Sequence, residues 1–357
     1  MATLDQVGHE SESQWEGRAL SRTSKKQGGG KLLSAGPTMA DLARLAGLSK
    51  ITVSRALGDS PLVNPETRER IRELAQKHGY KFNISARNLR LRHSHTVAVI
   101  VEMKPSSDRT MFDPYPLGLL GGISQELTAA GYSVLLTTRQ GAAVAAVQAA
   151  DGLILLGQGV HQDAVHRFHK LGVPMVVWGA GLKGDSHVVV GSDNRLGGAV
   201  VAEYFFRLGR RRPVFIGNPS HPEIHERLNG FVAALGAHAI KPLLMRRDEF
   251  TPDSGTGAVH SLHARGVDFD AIFACSDLLA MGAIRGIQEV GRSVPGDVSV
   301  VGYDDMPLGA SFLPALSSVH QDWQEGGILL ARKVLALIRG ESAASETLPV
   351  SLVVRST

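Results

Sequence analysis

Residues 37–92 read PTMADLARLAGLSKITVSRALGDSPLVNPETRERIRELAQKHGYKFNISARNLRLR, and three short helices can be drawn on their first half. Thr38 precedes Met39–Ala46, and its hydroxyl can accept a first-turn amide as an N-cap. Gly47 then supplies the tight turn that joins two helices of a helix-turn-helix. Ser49 plays the capping part again before Lys50–Leu57. A third helix follows Asn64, with Pro65 in its first turn and Gly79 just past its end. Leu42, Ala43, Leu45, Ala46, Val53, Leu57, Ile71 and Leu74 are spaced to close a small core. That leaves Lys50, Ile51, Thr52, Ser54 and Arg55 outside it. A helix with a short, polar and basic exposed face fits the major groove of DNA. A solvated basic face has the same composition, so the order of the residues must separate the two.

Working outward, charge agrees with the groove. Residues 1–95 hold 16 Lys and Arg against 9 Asp and Glu, a balance of +7, while the remainder holds 22 against 25, a balance of −3. Basic charge gathered in a small N-terminal part suits phosphate, and an acidic remainder avoids DNA. A chain of 357 residues is too long for one ordinary core and implies two or three domains. No apolar run approaches a membrane span and no secretory signal is visible, so the expectation is a soluble, cytoplasmic protein without a membrane partner. A lone cysteine, Cys275, excludes an intrachain disulfide framework.

Residues 1–36 are rich in Ser, Gln, Glu and Gly without apolar period, and read as a disordered tail. The helix-turn-helix headpiece spans 37–80. A hinge and linker follow over 81–95, where Asn83 can cap a short helix, Ile84–Leu91. From Thr96 to Thr357, strands alternate with helices. Strand TVAVIV (96–101) is followed by helix 117–130, strand 132–138, DGLILL (151–156), helix 161–171, VPMVVWG (173–179), VVVGSDN (188–194) and helix 197–208. The second half repeats the scheme: PVFIGN (213–218), helix 226–235, an ill-defined segment to Phe250, helix 254–265, AIFACSD (271–277), helix 278–290, VSVVGYD (298–304) and helix 324–338. Such alternation argues for an α/β core of two doubly wound parallel-sheet lobes, with a ligand at the carboxyl ends of the strands.

The string Thr38–Leu57, with Asn83-Ile84-Ser85-Ala86-Arg87-Asn88-Leu89 after it, resembles the DNA-binding headpiece of the lactose/galactose repressor family of bacterial transcription regulators. The core carries further likenesses: Ser192-Asp193-Asn194 with Gly197-Gly198, Arg227-x-x-Gly230-Phe231, Cys275 to Gly282, Val294 to Asp304, and His320-Gln321. The resemblance implies an all-α headpiece and a periplasmic-binding-protein-like core. It also implies a hinge helix that folds on the operator and places Ala86 and Leu89 in the minor groove, the leucine as a wedge. Phe82 stands where the family commonly has proline. Residues 140–150 and 236–248 are shorter than usual. The tail is a further departure.

On this reading Lys50, Ile51 and Arg55 contact base edges, Arg55 a guanine, while Thr38, Ser49, Thr52, Ser54 and Asn83 cap helices or position phosphates. The family's effector contacts map onto Asp113, Tyr115, Trp178, Arg227, Phe250, Asp277, Asp304 and Gln321. Aromatic faces with Arg and Asp suit a polyol. Catalysis is not indicated: no Gly-x-Ser-x-Gly elbow exists, and Gly118, Gly121 and Gly122 make no phosphate fingerprint. His221 and His225 are four apart, but Pro222 interrupts them and no third metal ligand follows, so no metal and no cofactor are expected.

The expectation is therefore a homodimeric repressor on a near-palindromic operator, controlled by a small molecule, a sugar in the first place. A purine- or sugar-phosphate-dependent co-repressed regulator is the alternative, and a transporter's sugar-binding protein a more distant one. No leucine heptad tail follows the core, which favours a dimer over a tetramer.

Overall fold

The computed structural model describes residues 37–80, 93–102, 114–142 and 144–357. The tail 1–36, the hinge residues Asn83, Ala86 and Leu89, and Asp113 lie outside them.

The headpiece is built of α1 (Met39–Ala46), α2 (Lys50–Leu57) and α3 (Pro65–Lys77), the first two with the limits that their caps imply. Thr38 and Asp41 form a reciprocal capping box, in which the Asp41 amide donates to Thr38 Oγ1 and the Thr38 amide to the Asp41 carboxylate. Gly47 turns the chain at φ 67°, a value open to glycine at little cost. Leu42, Val53, Ala56 and Ile71 are fully buried. Leu45 is not part of this core: it is 50% exposed, one residue off the stripe formed by Leu42, Ala43 and Ala46. Ala56, Val63 and Ala75 complete the packing instead. The Arg70 guanidinium donates to the Ala46 carbonyl at 2.8 Å and holds α3 to the end of α1.

The core begins with β1 (Thr96–Val101), α4 (Pro114–Ala129), β2 (Ser133–Thr138), a short α5 (Val144–Gln148) and β3 (Gly152–Leu156). A 3-10 turn at Val160–Gln162 leads into α6 (Asp163–His169), then β4 (Met175–Trp178) and β5 (Val188–Ser192). The second lobe holds α7 (Asn194–Arg207), β6 (Pro213–Ile216), α8 (Pro222–Gly236), β7 (Leu243–Met245) and α9 (Pro252–Ala264). It continues with β8 (Ala271–Ala274), α10 (Asp277–Glu289), β9 (Ser299–Asp304), α11 (Pro307–Ser311) and β10 (Ser317–Gln321). The chain then returns to the first lobe for α12 (Trp323–Ile338) and β11 (Glu346–Leu348), and ends in the second with β12 (Val350–Val353).

Each lobe has a six-stranded sheet, in order β11-β5-β4-β3-β1-β2 and β12-β10-β9-β8-β6-β7. Pairing is parallel throughout except where β12 runs antiparallel to β10. Helices bury apolar faces on the sheets, as doubly wound lobes require: Val201, Phe205 and Phe231 belong to the second lobe's core, and Leu330 and Val334 of α12 to the first lobe's.

Several expected boundaries move. The segment before Phe250 contains a strand, β7, of only three residues. Residues 161–171 divide into a 3-10 turn and a shorter helix because His161 and Gln162 take positive φ. Pro222 opens α8 at a first-turn position instead of interrupting it. Strands β10, β11 and β12 were not expected, since polar residues such as Ser317, Ser318, Glu346 and Thr347 hide the apolar run. Burial of the serines is made tolerable by side-chain bonds, as where Ser317 Oγ donates to the Thr357 carbonyl at 3.2 Å.

Candidate functional site

The headpiece presents α2 to solvent. Lys50 and Arg55 are exposed, and Ile51 is 62% exposed, a large apolar side chain left without a core contact. Thr52 and Ser54 are half-buried beside them. Ser49 Oγ accepts the Thr52 amide at 3.1 Å and lies 2.9 Å from Thr52 Oγ1, so these two hydroxyls define the helix start. Thr38 does the same for α1, its hydroxyl donating to Asp41 Oδ2 at 2.7 Å. The headpiece thus offers two cations and one apolar side chain on α2, and capped N-termini on α1 and α2. Helix N-termini suit phosphate, and the side chains suit base edges.

The core has a cleft between its lobes, a concave space of about 770 Å³ that includes open solvent. Strand ends line it, as a doubly wound sheet predicts. From the first lobe come Val101, Glu102, Tyr115, Leu156 and Gly157; from the second come His221, Glu223, Arg227, Phe250, Cys275, Ser276, Asp304 and Met306.

Arg227 is the best-anchored of these. It is 7% exposed, and its Nε donates to Asn194 Oδ1 at 2.8 Å while a terminal nitrogen donates to the Cys275 carbonyl at 2.7 Å. Its guanidinium carbon sits 3.6 Å from the centroid of the Tyr303 ring, a cation–π contact. The helix that carries it crosses α7 at contact distance: a Cβ on Gly198 would lie 1.9 Å from the Arg227 carbonyl oxygen, so only glycine fits. Burial pushes the Tyr303 hydroxyl up to about 12 and the Cys275 thiol to about 12, so both stay neutral beside the arginine.

Asp304 ends β9 with φ 112° and Asp305 follows at φ 51°, two consecutive non-glycine residues in a region that side chains avoid. Their neighbours hold this turn. Gln321 Nε2 donates to Asp304 Oδ1 at 2.7 Å, and the Asp305 amide donates to Ser318 Oγ at 3.0 Å. Phe250 meets the His221 ring edge-on at a centroid distance of 5.7 Å, and Tyr115 meets Trp323 at 6.0 Å.

Of the residues expected at the effector site, Tyr115, Arg227, Phe250 and Asp304 come together in the cleft. Three others do not reach its wall. Gln321 stands behind Asp304. Asp277 is fully buried and accepts the Met306 amide and the Ser318 hydroxyl. Trp178 is 3% exposed and belongs to the first lobe's core, so close to α12 that a Cβ on Gly326 would meet its Cζ3 at 2.4 Å. A ring so enclosed offers no face to a ligand.

The sequence gives no role to Glu102, Glu223 or Met306, and makes His221 a surface residue and not a metal ligand, yet all four line the cleft. All lie at a strand end or in the turn or first helical turn after one, so the carboxyl-end rule already pointed to them. Glu102 accepts from Arg139 at 2.7 Å, which also reaches Asp163 at 2.7 Å. His225, four residues from His221, is exposed, and among the described residues no group of three or more His, Cys, Asp or Glu could hold a metal ion. No helix among them is long and apolar enough to cross a membrane.

Comparison with known proteins places both parts. The model of bacterial regulatory proteins of the lacI family matches residues 38–83, and that of a periplasmic binding protein-like domain matches 202–357. The chain is 34% identical over 332 residues to the HTH-type transcriptional regulator CelR of Thermobifida fusca, covering 90% of this chain and 96% of the relative. A solved CelR–cellobiose complex superposes with a TM-score of 0.66 at 32% identity, covering 90% of this chain and 99% of the other. The lac repressor dimer bound to operator and the anti-inducer ONPF gives 0.77 at 25% identity, again over 90% and 99%. With a helix-turn-helix headpiece, a two-lobed core and likeness along nearly its whole length, this chain belongs to the lacI family of DNA-binding transcription regulators.

Proposed function

We propose that this protein is a homodimeric repressor whose hold on a near-palindromic operator is set by an uncharged sugar bound between the lobes. The observation that carries the reading is the convergence of Tyr115 and Phe250 with Arg227 and Asp304 on one cleft. Aromatic rings accept the apolar face of a pyranose, and a buried guanidinium with a carboxylate bonds its hydroxyls. The cellobiose of the CelR complex is consistent with such a ligand.

In the headpiece, Lys50, Ile51 and Arg55 read base edges and the capped starts of α1 and α2 receive phosphates. Residues 37–80 form this unit, 81–95 the hinge and 96–357 the effector and dimerisation part. Asn83, Ala86 and Leu89 carry the minor-groove contacts. A sugar that prefers the closed lobes shifts a two-state equilibrium, and the shift reaches DNA through the paired hinges. No enzymatic step is part of this reading.

A thermal-shift screen against neutral sugars, sugar phosphates and purines tests it, because a ligand of the folded state raises the melting temperature. A neutral sugar that both stabilises the protein and alters retention on operator DNA is the expected result. Stabilisation by purines alone would replace the sugar with a base stacked on the same aromatics.

A further inference from the structure

Glu223 of the cleft wall carries a polar atom without a partner among the described residues. Oε2 of Glu223 is buried without a hydrogen bond. The residue sits in the first turn of α8, one turn before Arg227 on the same helix. Arg227 is close enough to feel its charge, yet it is bonded elsewhere, to Asn194 and the Cys275 carbonyl, and forms no ion pair with it. The other acids of the wall each have a donor on one oxygen, Arg139 on Oε1 of Glu102 and Gln321 on Oδ1 of Asp304.

A buried carboxylate oxygen without a donor is unfavourable. The N-terminus of α8 accounts for a negative charge at this position. It does not account for an oxygen turned away from water with nothing to accept. Glu223 itself lines the cleft, so an occupant of the cleft can bring the donor that the protein does not. The charges present define the occupant further. Among the described residues, Glu102, Glu223 and Asp304 of the wall outnumber its Arg227 and the Arg139 paired with Glu102, so a carboxylate or phosphate on the ligand would meet like charge there. A hydroxyl meets an acceptor.

We infer that Glu223 is a specificity-determining residue of the cleft, accepting a hydrogen bond from a hydroxyl of an uncharged sugar and turning away sugars that carry a carboxylate or phosphate. This rests on the cleft being the effector site.

The test is calorimetric titration of the full-length protein and its Glu223→Gln variant. The probes are neutral mono- and disaccharides, glucose and cellobiose among them, with their uronates and phosphate esters. The wild type binds a neutral member at least about tenfold more tightly than its anionic counterpart, the order expected for one charge-assisted bond gained and one repulsion avoided. Glu223→Gln keeps the shape and removes the charge: it weakens the neutral sugar by about tenfold and narrows the gap to the anions. Its ligand-free melting temperature serves as the control, since a purely structural role would change that value and leave the preference alone. Equal or tighter binding of a uronate or phosphate ester by the wild type overturns the role of Glu223 and leaves the effector site standing. Unchanged affinities in Glu223→Gln do the same. If no member of the panel binds, the sugar reading of the cleft falls, and this inference with it.

Discussion

The Met306 amide donates to Asp277 Oδ2 at 2.7 Å, and that bond ties the start of α10 to the turn that carries Asp304. The other carboxylate oxygen accepts the Ser318 hydroxyl at 2.5 Å, and Ser318 Oγ in turn accepts the Asp305 amide. Asp277 thus braces a strained turn from behind, and the cleft wall owes the position of Asp304 and Met306 to it. Burial pushes its carboxyl up to about 7, although the bonds from Ser318 and Met306 pull the other way.

This brace makes stability depend on pH. A carboxyl whose folded value, about 7, exceeds its ordinary 3.8 binds a proton in the folded state that the unfolded chain releases. Its contribution is fully present below 3.8 and is lost as pH rises through about 7. Between those limits the denaturation midpoint of the wild type falls with rising pH, and Asp277→Asn flattens that slope. Parallel curves for the two proteins would show that Asp277 is ionised throughout.

Gly198→Ala tests the helix crossing beneath the arginine. The added methyl meets the Arg227 carbonyl oxygen at 1.9 Å, so α7 and α8 must separate. Overpacking of this kind costs about 1–3 kcal/mol. A lower urea midpoint together with weaker effector binding is expected, because the displaced backbone is that of Arg227 itself. Loss of stability without loss of affinity would mean that the arginine recovers its place.

Trp178→Phe separates core from ligand contact. The ring is enclosed between the sheet and α12, so its reduction leaves a partial cavity and lowers stability by roughly 1–2 kcal/mol. Effector affinity measured on the same variant should stay within about twofold, since no contact with the cleft is lost. A large drop in affinity with stability intact would return Trp178 to the binding site.

Arg55→Ala addresses DNA. The side chain is exposed at the end of α2 and supports no buried contact, so the headpiece should fold unchanged. A good base-edge pair is worth about 1–3 kcal/mol of discrimination, so the ratio of operator to random-sequence binding should drop by about tenfold or more. Competition gel shifts measure that ratio directly. An unchanged ratio would move sequence reading to Lys50, Ile51 or the hinge.

The headpiece was legible because its signals are local. Thr38, Ser49 and Asn64 cap within three residues of themselves, Gly47 turns at its own φ, and α1 and α2 begin and end where those residues dictate. The alternation of strand and helix in the core was equally open, as was the rule that places Asp304 at a strand end. What stayed hidden depends on contacts distant in the chain. Serine- and glutamate-bearing strands β10 and β11 exist because neighbouring strands complete their bonds, which no local pattern announces. Trp178 and Asp277 stand at the right ends of the right strands, yet α12 closes over one and the β10 hydroxyls claim the other. Glu223 lies in the helix start after β6, on the side that the carboxyl-end rule indicates, but nothing local marks it out among its neighbours. Sequence alone determined the two parts of this protein and the side of each sheet that forms the cleft. Tertiary structure decided which residues at that side line the cleft, because burial and hydrogen-bond partners are properties of the assembled lobes.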